Sequence, residues 1–135
     1  MSDKYSGSCL CGEITFEING GFESFYLCHC SRCRKDTGSA HASNLFSTSA
    51  KLKWLSGEEK VKSFNLPGTK HAKSFCTICG SAVPSIQMDG KLLVVPAGSL
   101  DTALDMEASA HILIEDRAQW DNELEKAPMV EGLPN

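Results

Sequence analysis

The chain has 135 residues, 41% of them apolar and 7% aromatic, with 13 basic and 17 acidic side chains and a formal charge of -4. This length suits one domain, and the composition is too apolar for wholesale disorder. The acidic balance disfavours a generic polyanion binder, so no nucleic-acid partner is expected. Met1 to Tyr5 lack the basic start and apolar run of a secretory signal. Apolar stretches such as Leu92–Val95 fall far short of a membrane span. A soluble, cytoplasmic protein without membrane contact is expected.

In chain order, residues 13–18 alternate polar with apolar or β-branched side chains, and Gly20-Gly21 separates them from Phe25-Tyr26-Leu27. This pattern predicts two strands of a hairpin. Helical signal is sparse, and Ser31 to Thr37 could form one helical turn ended by Gly38. Further strands are predicted over 41–46, 52–55, 60–64, 70–75, 81–88, 91–96 and 110–114. Asp89-Gly90 is a two-residue hairpin signal, because both residues accept positive φ. Ser99 to Met106 is expected to be a turn-rich link, and the region after Asp116 could form another helical turn. The pattern describes a mainly β domain of small sheets with little helix. Charge is uneven: residues 1–100 hold 11 basic and 8 acidic side chains, whereas 101–135 hold 2 and 9. The last residues are therefore expected to form an acidic, solvated tail.

Seven cysteines carry most of the chemical information. An odd number cannot all pair as disulfides within the chain, and in a reducing compartment thiols serve more readily as metal ligands. They form three clusters: Cys9-Leu10-Cys11-Gly12, Cys28-His29-Cys30-Ser31-Arg32-Cys33, and Cys76-Thr77-Ile78-Cys79-Gly80. Residues two apart in extended chain share a face, so Cys9 with Cys11, and Cys28 with Cys30, can each reach one ion. Thiolate softness favours zinc, with iron as the competitor. Seven ligands divide naturally into a closed set of four and an open set of three, but spacing leaves another partition available. Cys30 and Cys33 could join Cys76 and Cys79 in a zinc ribbon.

The order C-x-C-G, then C-H-C-x-x-C-R, then F-C-x-x-C-G-S, followed by His111-Ile112 and Trp120, resembles the glutathione-dependent formaldehyde-activating enzyme (GFA) family, with its centromere protein V/GFA-type zinc domain. The resemblance covers roughly residues 5–120. It implies a zinc-stapled β-tent of small antiparallel sheets; the domain is expected over residues 1–120, and the acidic residues 121–135 are the expected tail. It also implies two zinc ions: Cys9, Cys11, Cys76 and Cys79 holding a structural one, and Cys28, Cys30 and Cys33 holding a second, open, catalytic one. The implied activity is that of a carbon-sulfur lyase acting on glutathione or a related thiol and its formaldehyde adduct. A non-catalytic zinc module or thiol carrier is the alternative.

Arg32, Arg34 and Lys35 form a basic cluster that could bind the carboxylates of such a thiol. Lys70, His71 and Lys73 form a weaker second patch. His29 is expected to turn away from an ion shared by Cys28 and Cys30. His41, His71 and His111 read as ordinary strand residues, though any one could cap the open zinc, and Trp54 and Trp120 read as packing.

Overall fold

The computed structural model describes residues 3–134. The described residues form eleven strands in three sheets and one α-helix. The first sheet has the order β1 (Lys4–Ser8), β2 (Thr15–Asn19), β5 (Lys51–Ser56). The second runs β11 (Ala110–Ile112), β3 (Ser24–Cys28), β4 (Ala42–Ser47), β10 (Leu92–Pro96), β9 (Ser85–Gln87). The third is β6 (Val61–Asn65), β7 (Ala72–Cys76), β8 (Ala82–Val83). The chain is thus mainly β, as expected.

Alternation explains β2: Phe16 and Ile18 point inward and are fully buried, while Thr15, Glu17 and Asn19 face outward. With Leu45, Leu93 and Val95 they form the main core between the first two sheets, where each large side chain is worth roughly 1.5–3 kcal/mol. Gly7 stands opposite Phe16 in the β1–β2 register. A Cβ at Gly7 would lie 2.2 Å from the Phe16 ring, so only glycine leaves that ring its seat. A smaller core of Cys9, Ile14, Cys76 and Val83 joins the first sheet to the third.

The expected hairpin across Gly20-Gly21 does not form. β2 pairs with β1 and β5, whereas β3 pairs with β4 and β11 in another sheet. The Gly20 N–H bonds to Asp3 O at 2.9 Å, with Gly20 at φ 122°, and the chain leaves the first sheet there. The strand predicted over 81–88 is split into β8 and β9 by buried Pro84, which has no N–H to continue a ladder. β1 was not expected, since Lys-Tyr-Ser-Gly-Ser offers little apolar alternation. β11 runs parallel to β3, the one parallel pair among the described strands. Among the described residues after Asp116, one 3-10 turn forms, at Leu124–Lys126.

Two local expectations hold closely. Asp89 (φ 56°) and Gly90 (φ 87°) are the central residues of a turn closed by Lys91 N–H to Met88 O at 3.1 Å, joining antiparallel β9 and β10. The helix α1 spans Ser31–Thr37 and ends at Gly38, φ 66°, whose N–H bonds to Arg34 O at 2.7 Å.

Candidate metal centres and the adjoining cavity

The loop after β1 carries Cys9 and Cys11, and the end of β7 with the following turn carries Cys76 and Cys79. The four sulfurs lie within 4.8 Å of one another. Cys9 and Cys11 Sγ are 3.6 Å apart, and Cys11 and Cys76 Sγ 3.9 Å. Four sulfurs about 2.3 Å from one tetrahedral ion would stand about 3.8 Å apart, so the set fits a closed thiolate site. A disulfide would need about 2.0 Å, and all seven cysteines are free. The Ile14 N–H reaches Cys9 Sγ at 3.3 Å, a donor that favours thiolate over thiol there, and the Ile78 N–H reaches Cys76 Sγ at 3.3 Å.

Crowding shows in their proton affinities. The Ser81 hydroxyl, and then its backbone N–H, draws Cys79 down to about 5. The Glu13 N–H favours the Cys11 thiolate, but desolvation and the thiols of Cys9, Cys79 and Cys76 together push Cys11 up to about 12. Four thiolates this close need a cation to coexist.

The second cluster sits where β3 gives way to α1. Cys28 ends the strand, Cys30 caps the helix, and Cys33 is buried in its first turn. Their sulfurs also lie within 4.8 Å of one another. The Cys33 N–H bonds to Cys30 Sγ at 3.4 Å. Burial works against a Cys30 thiolate, yet that N–H and the thiols of Cys33 and Cys28 hold Cys30 below its ordinary range. Burial, followed by Cys28 and Cys30, raises Cys33 well above it. The described residues offer three thiols that could hold an ion here and no fourth His, Cys or carboxylate within the same reach. Both clusters can therefore hold a metal ion, and they follow the four-plus-three partition rather than the ribbon.

A cavity of about 170 Å³ adjoins the triplet, lined by Cys28, Cys33, Tyr26, Phe46, Val94 and Ile112 among apolar and thiol groups, and by Asp36, Lys70, His71 and Gln87 among polar ones. A second cavity of about 280 Å³ shares Asp36, Asn44, Ala72, Gln87 and Val94 with it. Arg32 and Lys35 are exposed on α1, and neither they nor Arg34 line the cavity beside the triplet. Lys70 and His71, from the weaker patch, do.

His29 is buried, with Nδ1 2.7 Å from Asp121 Oδ2 and Nε2 2.8 Å from His111 Nδ1. His41 packs on its ring at 5.0 Å between centroids. Both nitrogens of His29 are thus engaged away from the triplet. Asp121 and Asp36 were not singled out from the sequence, because each meets its histidine across a separation of 92 or 35 residues that no local pattern reveals. Trp54 packs edge-on to Phe16, whereas Trp120 is 60% exposed.

Fold and sites together define a small β protein built around two cysteine clusters able to bind metal. A model of the family described as glutathione-dependent formaldehyde-activating enzyme matches residues 4–116, and the chain belongs to that family. The crystal structure of a Rhodobacter sphaeroides protein is similar, at 22% identity and a TM-score of 0.58, over 78% of this chain and 98% of that one. That likeness concerns the fold alone. A search of curated proteins found no match.

Proposed function

We propose that the protein is a zinc-dependent enzyme of the carbon-sulfur lyase type, acting on glutathione or a related small thiol and its formaldehyde adduct. The observation that carries this reading is the contrast between the clusters: four thiols enclose one centre, whereas Cys28, Cys30 and Cys33 offer three ligands beside a cavity. Zinc suits both sets, since their donors are all sulfur and their spacing fits a tetrahedral ion. Bound at the triplet, zinc supplies acidified thiol sulfur that remains nucleophilic.

The rest of the chemistry belongs to the chain. Tyr26, Phe46, Val94 and Ile112 give the cavity apolar walls that limit water. Lys70 stands on its lining as a cation for a substrate carboxylate, with Arg32 and Lys35 as outlying charges on α1. Cys9, Cys11, Cys76 and Cys79 serve as a staple between the first and third sheets. Free cysteines in this number suit a reducing compartment such as the cytoplasm, and no helix among the described residues is long and apolar enough to cross a membrane.

Calorimetry with glutathione and S-methylglutathione tests the reading, because the methylated sulfur keeps the carboxylates but yields no thiolate. Only the free thiol should bind tightly, and its formaldehyde adduct should form or break down faster with protein present. Equal affinity for the thiol and its S-methyl derivative rejects the assignment, and binding without rate acceleration leaves a carrier.

A further inference from the structure

We propose that Asp36 and His71 form a proton-transfer dyad for the cavity beside Cys28 and Cys33, with His71 Nδ1 as the atom that accepts and returns the proton. The proposal rests on the thiol-aldehyde reading above and adds to it the base that such a reaction needs.

Asp36 lies in α1, three residues after Cys33, and its Oδ2 is 2.8 Å from His71 Nε2. An ionised carboxylate only accepts, so Nε2 carries the hydrogen and the neutral ring keeps its lone pair on Nδ1. Nδ1 has no hydrogen-bond partner among the described residues and is not sealed from its surroundings. His71 lines the same cavity as Cys28 and Cys33.

Both members are held firmly. Lys73 Nζ grips the other Asp36 oxygen at 2.7 Å and the Asp36 carbonyl at 3.1 Å. The His71 N–H bonds to Thr69 Oγ1 at 3.1 Å, and its carbonyl accepts from Leu66 N–H and Asn65 Nδ2, each at 2.9 Å. A base fixed in tautomer and position by a carboxylate is the arrangement that general acid-base catalysis requires. The charged and titratable groups around it are Asp36 and Cys33 from α1, Tyr26 and Cys28 from β3, Lys73 from β7 and Lys70 from the preceding loop. Asn44 of β4 and Gln87 of β9 are neutral.

The step balances without an oxidant or reductant. Sulfur of the thiol bonds to the formaldehyde carbon, the carbonyl π pair moves to oxygen, and the thiol proton passes to His71 Nδ1. That proton then returns to the alkoxide, giving the S-hydroxymethyl adduct. Breakdown of the adduct is the reverse.

The test is the rate of adduct formation from glutathione and formaldehyde in the zinc-loaded protein, with His71→Gln, Asp36→Asn and Lys73→Met, alongside ¹⁵N NMR of the histidine ring. His71→Gln should slow the reaction about 100-fold and remove one ionisation from the pH profile. Asp36→Asn should slow it similarly, because an amide N–H facing Nε2 drives the ring proton to Nδ1. Lys73→Met removes one anchor of the Asp36 carboxylate but leaves the Asp36–His71 bond, and should slow the reaction clearly less than His71→Gln does. NMR should find Nδ1 unprotonated in the neutral wild-type ring.

An active wild type with an unchanged rate and pH profile in His71→Gln overturns the dyad alone, as does equal loss in His71→Gln and Lys73→Met, which would mark a structural clamp. Protonated Nδ1 in the wild type overturns it without reference to activity, and does so even if a variant fails to fold. A wild type that accelerates neither direction overturns the functional reading, and the dyad as its base falls with it.

Discussion

Asp121 Oδ2 lies 2.7 Å from His29 Nδ1, so a residue near the end of the chain holds the turn between two thiols of the triplet. The bond is enclosed, with His29 at 3% and Asp121 at 13% side-chain exposure. The His29 N–H also bonds to Ile112 O at 3.0 Å, tying the same turn to β11. Asp121→Ala should therefore cost about 1–3 kcal/mol of stability by orphaning a buried imidazole N–H. Chain truncation after Trp120 should cost as much, and truncation after Asn122 should spare it. Urea denaturation of the three forms checks this, with an unchanged midpoint for Asp121→Ala as the contrary result.

Removal of a ligand from the four-thiol cluster should compromise the whole domain. Cys76 is fully buried beside Ile14 and Val83, and the cluster joins segments 65 residues apart. Structural zinc bound by ligands this distant contributes directly to folding. Cys76→Ser should lower the melting temperature markedly and reduce soluble yield. An undisturbed melt would refute the structural role.

The triplet should behave differently. Its ligands lie within six residues, and one face borders a cavity, so a chelator can approach. Cys30→Ser should reduce zinc content from two ions per chain to one while the far-ultraviolet circular dichroism of the β sheets persists. Global unfolding would show that the two roles had been exchanged.

Much of this site was legible because its signals are local. Cys9 with Cys11, Cys76 with Cys79, the helix from Ser31 to Gly38 and the Asp89-Gly90 turn all follow from side-chain type at short spacing. The β2–β3 hairpin failed for the opposite reason: strand alternation identifies strands but not partners, and pairing of β2 with β5 is decided by the core around Phe16 and Trp54. The basic residue types nearest the triplet in sequence, Arg32, Arg34 and Lys35, differ from those lining its cavity, Lys70 and His71. Helix α1 turns its exposed basic face outward, and the loop before β7 brings the others in from a distance. The Asp36–His71 and Asp121–His29 bonds belong to the same long-range class.

Acid should weaken the protein at a site remote from the thiols. The Thr48 hydroxyl, and then the Thr48 N–H, hold the Glu23 carboxyl below its ordinary range. A folded pKa below the unfolded value of about 4.3 stabilises the protein fully above that value, and the contribution disappears as pH falls through the folded pKa. Glu23→Gln should lower the melting temperature near neutral pH, and the difference from wild type should close below about pH 4. A pH-independent difference would assign the effect to packing instead.

The parallel pairing of β11 with β3 sets an order of assembly. Biosynthesis proceeds from the N-terminus, so Cys28, Cys30 and Cys33 leave the ribosome some eighty residues before the strand that lies beside Cys28 and before the carboxylate that anchors His29. Antiparallel β4 follows β3 at once and can pair early, but the parallel edge waits for nearly the whole chain. The three thiols therefore pass through a nascent stage in which their turn has only one flank. Metal captured at that stage would be held by local ligands alone, and the late arrival of β11 and Asp121 completes the support around it.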